Sequence, residues 1–187
     1  LPHRARTPRS PARLPRARRP ALQDARSSAL RRFRLCRRST NLVRPAGDPV
    51  FVAAALGGLR VFESAIFVVN GVMGPEVSTQ RLWRRAAELD LARMFYVNML
   101  DRERADFYRT LDALKAAFGR HVVATEIPLG SEHEIAVVVD LVDMKCYRYP
   151  DAGRGNAVEA PIPDDLMAPA LEYRANLMDE VAEVPAA

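Results

Sequence analysis

Asn98 and Asp101 stand three residues apart, directly behind the apolar stretch RMFYV at 93–97. A strand ending there would deliver both polar groups to one crevice, because ligands of open α/β sheets collect at the carboxyl ends of parallel strands. A carboxylate so placed can accept two hydrogen bonds from guanine, one from N1–H and one from the exocyclic amine, a pattern adenine does not offer. The asparagine can bond the base edge and tie neighbouring loops together. The same residues also spell an Asn turn followed by Asp101 as a helix N-cap, which is the commoner use of that pattern. A second polar break, Asn70-Gly71, follows the run 65–69.

Other chemistry is thinly represented. The three histidines are His3, His121 and His133, with no HExxH and no carboxylate–histidine cluster in the sequence, so zinc is not expected. Cys36 and Cys146 are the two cysteines. They exclude a disulfide framework, are not expected to pair, and fit a reducing compartment. Glu132, Glu134, Asp140 and Asp143 are spaced as a solvated strand face, not as an acid–base pair. Trp83, Phe95, Tyr96 and Phe107 read as core, and the arginines at 84–85 and 102–104 as solvated helix faces. No catalytic residue is assigned. No apolar run approaches the roughly 18–20 residues of a membrane helix, so no membrane partner is expected.

The elements that would position Asn98 and Asp101 alternate. Residues 51–63 read as a helix weakened by Gly57 and Gly58. Residues 65–70 read as a strand buried on both faces, and 93–98 as a second. Between them, 76–89 has the spacing of an amphipathic helix. A helix over 102–118 follows, ended by Gly119. This β-α-β-α order predicts parallel strands with a right-handed crossover, hence an α/β fold. Beyond Gly119 the spacing predicts strands at 121–127, 134–141 and 144–149, a loop at 150–156, and a helix capped by Asp164 or Asp165 and running to about Val181.

Charge divides the chain. Residues 1–40 hold 13 arginines against the single acid Asp24, a net of +12. The rest holds 15 basic and 22 acidic residues, a net of −7, so the overall +5 describes neither part. Prolines at 2, 8, 11, 15 and 20 and self-repulsion predict a disordered basic tail over 1–40. Three readings of the tail compete: an extension translated from GC-rich sequence out of frame, an RNA-binding arm, and an organelle transit peptide. Because the first residue is Leu1, the chain is expected to be a fragment or a processed product.

The segment FYVNMLDRERADF at 95–107 resembles the guanine-specificity segment of bacterial elongation factor G, a ribosomal translocation GTPase, where it typically reads FVNKxDRERADF. The resemblance spans about residues 41–183. It takes in VVNGVMGPEV at 68–77, LDALK at 111–115, VVDLVDMK at 138–145 with Tyr147, and IPDDL at 162–166 with Tyr173 and Arg174. It implies a partial P-loop-GTPase-like parallel sheet with flanking helices and a small β-rich insert. The expected divisions are a tail at 1–40, a partial GTPase domain at 41–119, and the end of the core sheet with the start of the insert at 120–187. It also implies GTP or GDP with magnesium as cofactor, the ribosome as partner, and a cytoplasmic location, with an organelle as the lesser alternative. Guanine would meet Asn98 and Asp101, while Met99 stands where the family has a lysine whose stem covers the base. A thioether can cover a purine face by packing.

Other family positions differ. NLV at 41–43 resembles the start of the family's NLIDTPGxPDFV, but the aspartate falls on Arg44 and the histidine after the glycine falls on Asp48. Gly47 is the remnant of that motif. An arginine offers no oxygen to magnesium. No GxxxxGK[ST] occurs in the sequence, and that loop supplies the phosphate contacts. The expectation is a fragment or divergent form of the factor that is catalytically deficient. The alternative is a non-enzymatic RNA- or ribosome-binding module acting through the basic tail.

Overall fold

The computed structural model describes residues 29–35, 38–45, 50, 52–130, 137–149 and 157–183. By its contacts the chain divides between Val52 and Ala53. In the first unit, β1 (Ala29–Leu35) pairs antiparallel with β2 (Arg38–Arg44), from Ala29 opposite Arg44 to Leu35 opposite Arg38. Arg32 Nε donates to Asn41 Oδ1 at 2.9 Å across the pair. Within the predicted disordered tail of 1–40, the described residues 29–35 and 38–40 are therefore strand instead. The prolines behind that expectation end at Pro20, and no proline interrupts 21–44, which leaves a proline-free stretch able to keep a ladder. Residues 1–28 and 46–49, including Gly47 and Asp48, lie outside the described residues.

From its second residue on, α1 (Val52–Gly58) belongs to the second unit, and it passes into a 3-10 turn, Leu59–Val61, at the paired glycines. β3 (Ser64–Asn70) and β4 (Ala92–Asn98) pair in parallel, with Asn70 level with Asn98, and α2 (Val77–Glu88) crosses between them. This is the predicted β-α-β unit. Its strands, however, are not buried on both faces. Phe67 and Val69 face inward at 8% and 2% exposure, whereas Ile66, Val68, Met94 and Tyr96 are exposed. The run is apolar on both sides, so its composition does not reveal that only one side is covered by α2 and by α3 (Phe107–Phe118). Tyr96 is accordingly not core, contrary to expectation. On the covered face Trp83 stacks on Phe95 at 4.2 Å between centroids, with Phe67 and Phe118 against them. Arg93 lies over the Trp83 ring at 4.5 Å, which adds a cation–π contact.

After Gly119 the chain builds an antiparallel sheet in the order β5 (Glu126–Leu129), β6 (Val137–Asp140), β7 (Lys145–Arg148), β8 (Val158–Ala160). β5 begins later than predicted, since 121–125 is turn and coil, and β8 is an addition to the predicted strands. The predicted loop at 150–156 lies outside the described residues. Ile127, Val139 and Leu141, all at 0% exposure, and Cys146 at 1% pack with Leu111 and with Leu166, Ala170 and Leu177 of α4 (Asp164–Glu183). Burial of each such side chain stabilises the fold by about 1.5–3 kcal/mol. Asp164 and Asp165 sit in the first turn of α4, where their charges favour the helix dipole. Arg174 Nη1 donates to the carbonyls of Leu141 and Val142 and ties α4 to the β6–β7 turn. Asp140 Oδ1 accepts from the amides of Val142 (2.8 Å) and Asp143 (3.2 Å), so it shapes that turn and is not merely a solvated strand residue.

Candidate functional site

The parallel register places the ends of β3 and β4 side by side, and two loops grow from them. The first is the 70–74 turn. Asn70 Oδ1 accepts from the amides of Val72 at 2.8 Å and Met73 at 3.4 Å, and Gly74, at φ +74°, closes the turn onto the Asn70 carbonyl at 2.8 Å. Asn70 is therefore occupied in shaping its own turn. Its Nδ2 also lies 3.6 Å from Met99 Sδ.

The second loop, 98–106, carries the candidate residues. It is joined to the first by Gly71 N–H, which donates to the Asn98 carbonyl at 2.8 Å. The Gly71 carbonyl in turn accepts from Asp106 N–H and from the buried Thr110 Oγ1, both at 3.1 Å. Two non-glycine residues of this loop, Met99 at φ 60° and Arg104 at φ 63°, lie in the left-handed region. Each costs of order 1–3 kcal/mol, and such strain concentrates at functional sites.

The competing roles of Asp101 now separate. The N-cap of α3 is Asp106, whose carboxylate accepts from Arg109 N–H at 3.0 Å. The predicted start of this helix near residue 102 is thus corrected to Phe107. Arg102-Glu103-Arg104-Ala105 suits a helix by propensity, but Asp106 competes for the cap and its own amide is committed to Gly71. Asp101 is exposed, and among the described residues its carboxylate makes no hydrogen bond or ion pair. The same holds for the side chain of Asn98, which shares the open face of β4 with Met94 and Tyr96. Met99 is 43% exposed. Asn98, Met99 and Asp101 thus fall in one loop at the strand ends, while Gly47 lies outside the described residues.

Two further features lie outside the 98–106 loop. A groove of about 660 Å³ runs beside β4, lined by Met94, Tyr96, Phe118, Val122 and Glu126 among others. Neither Asn98 nor Asp101 lines it. A carboxylate–histidine cluster also exists, contrary to expectation. His121 Nδ1 lies 2.6 Å from Glu180 Oε2, with Glu183 in the same group and Arg120 3.3 Å from Glu183. Local spacing could not show it, because the two sides of the cluster are 59 residues apart in sequence.

The parallel β-α-β unit, the loop at its carboxyl end and the appended antiparallel sheet define a mixed α/β fold consistent with part of a P-loop GTPase domain. Residues 26–181 match the family model of the elongation factor Tu GTP binding domain, and the chain belongs to that family. The match begins ahead of Asn41 and takes in the β1–β2 hairpin. A crystal structure of a protein from Thermus thermophilus is similar to the chain with a TM-score of 0.73 and 25% identity, over 83% of this chain. The chain spans 23% of the length of that protein.

Proposed function

We propose that this chain is part of an elongation factor G-like translational GTPase whose retained task is to recognise guanine. Its partner would be the ribosome and its place the cytoplasm. The carrying observation is Asp101, an unengaged carboxylate in a strained loop at the ends of parallel strands, with the capping role filled by Asp106. Two acceptor oxygens there suit the N1–H and amine of guanine. Asn98 offers a donor and an acceptor to the base edge, and the Met99 thioether, held near Asn70, covers the ring.

The residues fit the base better than they fit the phosphates and magnesium. Arg44 occupies the position where the family carries an aspartate, and a guanidinium holds no cation. The sequence has no GxxxxGK[ST] to supply a phosphate cradle. The proposal is accordingly guanine recognition without GTP turnover by this chain.

The test is a calorimetric titration of the chain with GDP and with xanthosine diphosphate, repeated on Asp101→Asn. Xanthine presents a carbonyl where guanine has its amine, so the amide of Asp101→Asn should reverse the preference. Equal affinity of the native chain for both nucleotides would overturn the reading, and so would an unchanged preference in the variant. Magnesium-dependent phosphate release above background, with or without ribosomes, would overturn the part that concerns turnover.

A further inference from the structure

We propose that Arg109 is a positioning residue: its guanidinium bolts the guanine loop to the turn after β3 and thereby sets base selectivity. This rests on the guanine reading of Asn98 and Asp101. Arg109 Nη2 lies 2.6 Å from the carbonyl of Arg104 and 3.4 Å from that of Val72. One NH₂ group carries two protons, so a single nitrogen can serve both carbonyls. Val72 belongs to the 70–74 turn, and Arg104 to the 98–106 loop.

The carbonyl it holds in the loop is a strained one. Arg104 sits at φ 63°, a conformation a non-glycine residue keeps only when its surroundings over-determine it. A charged donor makes roughly twice as strong a bond as a neutral one. The ties from Gly71 to Asn98, Asp106 and Thr110 attach at the two ends of the loop and at the helix behind it. Arg109 instead reaches into the loop, to a carbonyl five residues before its own place in α3. Asp101 lies between the tie at Asn98 and the tie at Arg104, so release of the second end leaves its carboxylate free to swing. A carboxylate that must meet two donors at once depends on that angle more than a packing contact does.

The experiment compares the native chain with Arg109→Met, which keeps the aliphatic stem and removes the donors, and with Arg109→Lys, which restores a charged donor. Amide hydrogen exchange is read at Arg102, Ala105 and Asp106, whose N–H groups are bonded within this junction. Arg109→Met should speed exchange there by about tenfold or more, the factor carried by loss of a charge-assisted hydrogen bond. Exchange in β5–β7 should stay unchanged, and Arg109→Lys should recover part of the protection. The second readout is the ratio of affinities for GDP and inosine diphosphate, which lacks the exocyclic amine. Arg109→Met should lower that ratio by about tenfold, since one of the two Asp101 contacts is at stake. Unchanged exchange in the loop would overturn the positioning role, and so would a uniform rise across β5–β7, which would mark general destabilisation. Should the native chain fail to prefer GDP over inosine diphosphate, the guanine reading fails, and the exchange result still decides whether Arg109 holds the loop.

Discussion

Replacing Gly71 by alanine probes the junction on which the site depends. A methyl group at this position would lie 2.8 Å from Leu100 Cδ2 and 3.1 Å from the Asn98 carbonyl oxygen. The leucine end can rotate away. The carbonyl cannot, because it accepts the Gly71 N–H at 2.8 Å and belongs to the last residue of β4. The strand end must therefore shift by a few tenths of an ångström. Overpacking of this kind costs about 1–3 kcal/mol. Gly71 is not among the residues with positive φ, so alanine also restricts the unfolded chain, a gain of about 0.4–1 kcal/mol. The net expectation is a loss of about 1–2 kcal/mol. Urea unfolding followed by the single tryptophan, Trp83, measures it directly, since that ring packs on Phe67 and Phe95 of the two strands. Gly57→Ala is the control. It lies in α1, a methyl there meets nothing within 4 Å, and it should gain about 0.5–1 kcal/mol. A Gly71→Ala variant as stable as the native chain, or stabilised like the control, would refute the close approach of the two loops.

Two predictions concern titration. Burial first, then Tyr173 and Asp106, raises the phenol of Tyr108 above 10.0; burial first, then Asp112 and Glu172, raises that of Tyr173; burial likewise raises Tyr149. A phenol is neutral when protonated, so this contribution is complete below pH 10 and lost as pH rises through the folded-state values. Unfolding free energy should thus start to fall above about pH 9, where the Cys146 thiol ionises in the unfolded chain before the folded one, and fall further above pH 10 as the phenols follow, with a shallower fall above pH 10 in Tyr108→Phe, as pH-dependent urea melts will show. Cys146 is 1% exposed, and burial raises its thiol above 9.0 despite Arg148 nearby. Peptide mapping after alkylation at pH 8 should find Cys146 modified roughly a hundredfold more slowly in the folded chain than in urea; equal rates would mean that β7 is not packed as described.

The site was more legible in the sequence than its support. The Asn98–Asp101 spacing behind an apolar run pointed to one loop, and the structure keeps both in it, with Gly119 at φ +104° ending α3 as its position suggested. The competing cap reading of Asp101 was settled only in three dimensions, because Asp101 and Asp106 are both good N-caps and the choice falls to Gly71, which lies far back in the chain. The open face of β3 and β4 is not legible in the sequence for a related reason. Ile66, Val68, Met94 and Tyr96 carry the hydropathy of a doubly buried strand, and nothing local tells which side a helix covers. Composition is a poor guide at the hairpin, where arginine-rich strands follow a proline-rich stretch of sequence. The His121–Glu180 contact joins the turn after α3 to the last turns of α4, a long-range pairing no local pattern announces.

The central claim is that the loop behind β4 reads guanine. The most direct measurement is the amide NMR spectrum of the chain titrated with GDP and, separately, with ADP. Guanine recognition by this loop should give saturable shifts at Asn98, Met99, Asp101 and their neighbours with GDP, absent with ADP and lost in Asp101→Ala. Equal shifts with the two nucleotides, or shifts confined to residues outside 98–106, would contradict it.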